Sequence, residues 1–65
     1  MKIIYDPEVD VLSIRLSDVP VEESDEETPG VILDFDEAGR IVGFEVLDAS
    51  TRVQNLRSVE WVLAA

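Results

Sequence analysis

The chain has 65 residues, 46% of them hydrophobic, no cysteine and no histidine, and its 15 acids against 5 bases give a formal charge of −10. That length allows one domain, 1–65, too small to bury a large core unaided, and the composition removes disulfides, thiolate metal sites and imidazole ligands as sources of help. Residues 16–39 hold nine acids (Asp18, Glu22, Glu23, Asp25, Glu26, Glu27, Asp34, Asp36 and Glu37) and no base, so −10 minus −9 leaves −1 for the rest, and a field of that kind repels phosphate backbones and excludes nucleic acid as the expected partner.

Met1-Lys2 leads into a short apolar run, Ile3-Ile4-Tyr5. It reads as a strand, and as neither a signal peptide nor a membrane span, so the expectation is a soluble cytoplasmic protein with no membrane partner. Asp6-Pro7-Glu8 is turn chemistry, with proline fixing φ and removing a donor. In "VLSIRL", Val11 to Leu16, Leu12, Ile14 and Leu16 point one way and Val11, Ser13 and Arg15 the other, which completes a first hairpin over 1–16. Residues 17–30 read as an acidic connector, punctuated by Pro20 and Pro29, whose middle is able to pair as an edge strand. "VILDF" from Val31 is a strand with Val31, Leu33 and Phe35 on one face. "DEAG" turns the chain, Gly39 supplying the positive φ that ends such a loop. "IVGFEVL" returns with Val42, Phe44 and Val46 on one face, closing a second hairpin over 31–47. Gly43 in mid-strand predicts a bulge or a close backbone approach.

The hairpins resemble each other. "YDPEVDVLSIRLSD" lies over "FDEAGRIVGFEVLD" without a gap at an offset of thirty positions, matching Leu12, Ile14 and Leu16 to Val42, Phe44 and Val46. Duplication is one reading of this match; the other is that any two hairpins of equal length align this way. Either way one sheet face is apolar. The second face mixes Ile4, Val11, Ile32 and Ile41 with Lys2, Arg15, Asp34 and Glu45, more apolar surface than a monomer ordinarily leaves open. The remaining segment, 50–64, changes period. Val53, Leu56, Val59 and Leu63 fall on one stripe of a helical wheel, and Ser50 or Asn55 can cap a start, so a C-terminal helix packed on a sheet face is predicted. Trp61 falls opposite the stripe near Arg57, and tryptophan and arginine are the types that anchor interfaces. The alternative for Trp61 is folding back over a sheet edge. The fold class is thus α+β: a small antiparallel meander of two hairpins, about four strands, with one helix.

Several motifs together resemble a known family. "YDPEVDVLSIRLSD", the acidic stretch, and "PGVILDFDEAGRIVGFEVLDAS" are similar to the small bacterial proteins catalogued as domain of unknown function 2283. Asp6-Pro7, Gly30-Val31, Asp34, Gly39, Gly43, Glu45 and "LDAS" carry the likeness over residues 1–52. It implies a small sheet with a helix and supplies no activity, cofactor or catalytic residue.

For chemistry the inventory is thin. "DFDEAGRIVGFE", Asp34 to Glu45, matches a calcium loop at several positions, but Ala38 offers no ligand oxygen and the flanks have strand period. Hard-cation binding through Asp34, Asp36 and nearby carboxylates is therefore an alternative reading only. No nucleophile has a general base nearby in sequence, and 65 residues leave little room for a cleft that perturbs a carboxylate, so no enzyme and no cofactor is expected. The first expectation is a protein–protein interaction or homo-oligomerisation module. The second is a neutralising partner of a small basic protein, as in toxin–antitoxin pairs. The residues singled out for partner binding are Glu22, Glu23, Asp25, Glu26, Glu27, Arg57 and Trp61. "VEESDEETPG" itself reads first as a solvated connector and second as a docking strip.

Overall fold

Two hairpins form where the alternation places them. In the computed structural model, which describes residues 1–65, β1 (Lys2–Asp6) pairs antiparallel with β2 (Val11–Arg15), and β4 (Val31–Phe35) with β5 (Ile41–Leu47). The acidic stretch between them is more than a connector. Glu23–Thr28 forms β3, antiparallel to β4, so the sheet has five strands where about four were expected. Glutamate and aspartate have weak strand propensity, but β4 offers a row of backbone donors and acceptors that need partners, and that requirement outweighs propensity. The order is β1-β2-β5-β4-β3, which leaves β1 and β3 as open edges. Residues 16–22 cross the sheet end from β2 to β3. Arg15 holds this crossing by donating from Nη2 to the carbonyls of Ser17 (3.1 Å) and Val19 (3.0 Å).

The central pairing has an internal symmetry. Leu12 faces Val46, Ile14 faces Phe44, and the Leu16 N–H donates to the Val42 carbonyl at 2.8 Å. Under the thirty-residue offset Ile14 corresponds to Phe44, so it faces its own counterpart, while Leu12 and Leu16 face each other's. An approximate two-fold axis therefore passes between Ile14 and Phe44, relating β2 to β5 and β1 to β4.

The register puts Ile3, Tyr5, Leu12, Ile14, Leu33, Phe44 and Val46 on one face, as the alternation predicts. Lys2, Ile4, Val11, Ser13, Arg15, Ile32, Asp34 and Glu45 share the other. Ile41 departs from its expected place. A bulge between the Asp34–Gly43 and Phe35–Ile41 pairs adds Val42 to β5 and sets Ile41 opposite Phe35, a first-face residue. Gly43 serves the close approach as well: a Cβ there would lie 3.0 Å from the Ile14 carbonyl oxygen and 3.4 Å from Arg15 Cδ and Asp34 Oδ2.

The predicted helix over 50–64 is not present. Only Ala49–Arg52 is helical (α1), and Val53 is already extended at φ −104°, ψ 127°. Two features stop the helix. Asn55 sits at φ 57° and its side-chain oxygen accepts the Arg57 N–H at 3.3 Å, a local bond that competes with helical pairing. The sheet also meets only part of the apolar stripe, and a helix of this length without packing is marginal. Val53 and Leu56 are half-buried over the first face, whereas Val59, Trp61, Val62 and Leu63 are exposed. The tail thus lies over the β1–β2 half of that face as an irregular strap, its Val53, Leu56 and Val59 lining a groove with Ile3, Tyr5, Leu12 and Ile14.

The resulting molecule is a slab of 34 × 33 × 19 Å. Of 65 residues 5 are buried, and Val42 and Ala49 are the apolar side chains among them. No helix is long and apolar enough to cross a membrane.

Candidate functional site

Chemistry-bearing side chains gather in four places. The first is a clasp at one end of the sheet. Asp10, in the left-handed region at φ 56°, turns its carboxylate toward residues forty positions away. Its Oδ1 accepts the Ser50 N–H (2.9 Å) and the Tyr5 hydroxyl (2.7 Å), and its Oδ2 accepts the Ser50 hydroxyl (2.6 Å). The Asp10 carbonyl accepts the Ala49 N–H at 3.0 Å. Asp48, at the helix N-cap, makes no side-chain cap, so Asp10 supplies the missing acceptor from the first hairpin. From the other end of α1, Arg52 Nη2 donates to the Pro29 carbonyl at 2.9 Å, and the Leu47 N–H donates to the Gly30 carbonyl at 2.8 Å. One helical turn thereby ties the β1–β2 loop to the β3–β4 loop. Donation from Ser50 and Tyr5 holds the Asp10 carboxyl below its ordinary value, while the bond to Asp10 pushes the Tyr5 phenol up. A carboxylate with a lowered pKa is a weak base, and the Ser50 proton is already committed to it, so this arrangement fastens the fold.

The second place is the middle of the second face. Asp34 is buried and accepts the Ser24 hydroxyl at 2.6 Å on Oδ1. Glu45 stands on the neighbouring strand of the same face. Desolvation first, then the charge and hydrogen bonding of Asp34, raise its carboxyl above the ordinary value. The absent side chain of Gly43 leaves the room that Asp34 and Arg15 use.

The third is the β4–β5 turn. Asp36 is buried because its carboxylate organises its own loop. Oδ1 accepts the N–H groups of Ala38 and Arg40 (both 2.9 Å) and Oδ2 pairs with Arg40 Nε at 3.0 Å. The Arg40 backbone bond is the main cause that holds Asp36 below its ordinary value. The calcium-like spacing from Asp34 to Glu45 is thus divided between a turn and a sheet face. No group of three or more acidic side chains is arranged to hold a metal ion.

The fourth is the β3 edge, all six residues of which are exposed. Glu23 and Asp25 lie opposite Phe35 and Leu33 on the first face, and Glu26 opposite Ile32 on the second. Glu22 precedes the strand and donates its N–H to the Phe35 carbonyl at 2.8 Å. The Glu26 carboxylate accepts the Gly30 N–H at 2.9 Å. With Glu27 these residues form a negative rim on both faces of one edge. Arg57 lines the groove over β1–β2, and Trp61 lies beyond it, 76% exposed. Of the seven residues singled out in the sequence, the five acids gather at the β3 edge, Arg57 lies over the β1–β2 half, and Trp61 stands exposed in the tail. Sequence reasoning missed the clasp and the Asp34–Glu45 pair. "LDAS" was a signal for the first, and mid-strand Gly43 for the second.

The sequence that builds this sheet matches one known family model. The model of the family "Protein of unknown function (DUF2283)" matches residues 2–50, and the chain belongs to that family. The matched span covers the whole sheet and reaches Ser50 of the clasp, and it ends before the strap. No curated protein and no solved structure matches the chain.

Proposed function

We propose that this protein is a non-enzymatic interaction module that works by self-association. The accessible surface carries the reading. The chain exposes 5164 Å², whereas a folded monomer of its mass exposes about 4,100 Å². The excess, roughly 1,000 Å², is close to the ~800 Å² that each partner contributes to a standard interface. The radius of gyration, 12.7 Å, likewise exceeds the ~10.7 Å of a compact domain of this length. Part of the excess belongs to the strap beyond Arg57. The rest includes Ile3, Ile4, Leu16 and Ile41 on the sheet, each 39–48% exposed. Sedimentation equilibrium at low micromolar protein in 0.15 M salt tests the reading. A discrete oligomer is expected, and a monomer refutes it.

A second reading is favoured by the β3 rim. An unpaired strand edge beside Glu22, Glu23, Asp25, Glu26 and Glu27 suits a small basic protein that adds a strand and neutralises the charge. Such a complex is expected to co-purify at low salt and dissociate in high salt. A salt-insensitive complex, or none with small basic proteins of the source, removes it.

A further inference from the structure

We infer that the self-association proposed above, on which this inference rests, is built by β1 pairing with β1 of a second copy across a two-fold axis, giving one ten-stranded sheet. The two open edges differ in kind. β3 carries Glu23, Asp25, Glu26 and Glu27 and is irregular between Glu26 and Thr28, which opposes pairing with its own kind. β1, "KIIYD", has no bulge, no proline and no net charge.

Its side chains are laid out for pairing with themselves. In an antiparallel two-fold centred on Ile4, Lys2 of each copy faces Asp6 of the other, Ile3 faces Tyr5, and Ile4 faces Ile4. Both opposite-charge pairs form at once, and all five residues are in register. The exposures select this geometry over stacking of sheet faces. Ile3 is 39% and Ile4 45% exposed, and they lie on opposite faces. A partner stacked on one face covers one of them, whereas a strand added beside β1 covers both.

Symmetry and charge agree with this. The axis between Ile14 and Phe44 makes β1 the counterpart of β4. The outer edge of β4 is taken by β3, so the matching place beside β1 is the one left unfilled. The charge is distributed accordingly: residues 16–39 carry −9 of the −10 and include β3 and β4, so the β1 half approaches its copy nearly neutral.

The experiment uses the full chain and a register test. Lys2→Asp puts like charges opposite each other twice and is expected to weaken the dimer roughly tenfold or more. Adding Asp6→Lys exchanges the two charges and is expected to restore the parent affinity. Because the chain has no cysteine, Ile4→Cys supplies a single thiol on the axis. It is expected to cross-link two copies under mild oxidation, while Lys2→Cys, which faces Asp6, does not. Circular dichroism confirms that each variant keeps its sheet. A parent that is monomeric overturns self-association itself. A dimeric parent whose mass ignores Lys2→Asp, or whose Ile4→Cys form does not cross-link, overturns only the β1 pairing and assigns the contact to a sheet face or the strap.

Discussion

Replacing Gly43 by alanine isolates one contact at the centre of the sheet. The added Cβ lies 3.0 Å from the Ile14 carbonyl oxygen, closer than carbon and oxygen ordinarily approach, and 3.4 Å from Arg15 Cδ and Asp34 Oδ2. Arg15 and Asp34 are side chains and can turn. The Ile14 carbonyl belongs to β2, held between β1 and β5, and moves only with its strand. Such overpacking costs about 1–3 kcal/mol. Alanine recovers about 0.4–1 kcal/mol by restricting the unfolded chain. The net expectation is a loss of about 1–2 kcal/mol, large against the ~3–5 kcal/mol that a core of this size supplies. Thermal unfolding followed by far-UV circular dichroism reads it as a fall of roughly 4–8 °C per kcal/mol. Parent and variant are compared at equal protein concentration, since the self-association proposed above would raise the apparent melting point. A variant that melts with the parent or above it shows that the strand yields freely, and the close-approach explanation of this glycine is then wrong.

Two further expectations concern ionisation. Asp10→Ala releases the three donors of the clasp and lowers the melting temperature at pH 7, with Asp10→Asn, which tolerates the left-handed backbone, recovering part of the loss. The Asp10 carboxyl is held below its ordinary 3.8, so its stabilisation is present above that pH and is lost as pH falls through the lower folded value; the gap between parent and Asp10→Ala should narrow in acid, leaving the pH-independent backbone strain of alanine at φ 56°. Glu45 has the opposite sign. Its carboxyl is raised above 4.5, so the favourable state is present below that pH and is lost as pH rises through the folded value. Glu45→Gln should therefore raise the melting temperature at pH 7 and leave it nearly unchanged at pH 4, and equal effects at both would refute the assignment.

Four strands were legible because their apolar residues alternate, and Gly39, at φ 80°, marks the turn between two of them. β3 was legible only as an option. Its residues are polar on both faces, so no alternation distinguishes them, and the demand for pairing comes from β4. The helix over 50–64 was misread because periodicity reports which residues can share a stripe, not whether a surface waits to receive it. The Asn55 side chain also accepts the Arg57 N–H, a local bond that competes with helical pairing. Of the site, the acidic rim was visible in composition, whereas spacing leaves the place of Trp61 open between an interface and a fold-back over a sheet edge. The clasp was not visible, because Asp10 and Ser50 meet across forty residues and only folding brings them together. Asp36 belongs to the alternative cation-binding reading, and the structure shows the adjacent backbone donors and Arg40 bonded to both of its oxygens.

The carboxylate border along β3 also limits how far such sheets can grow. Strand-by-strand addition needs two receptive margins on every subunit, and here one margin repels its own kind. Under the proposed β1 pairing, a chain with a single receptive margin would close as a pair instead of adding subunits strand by strand.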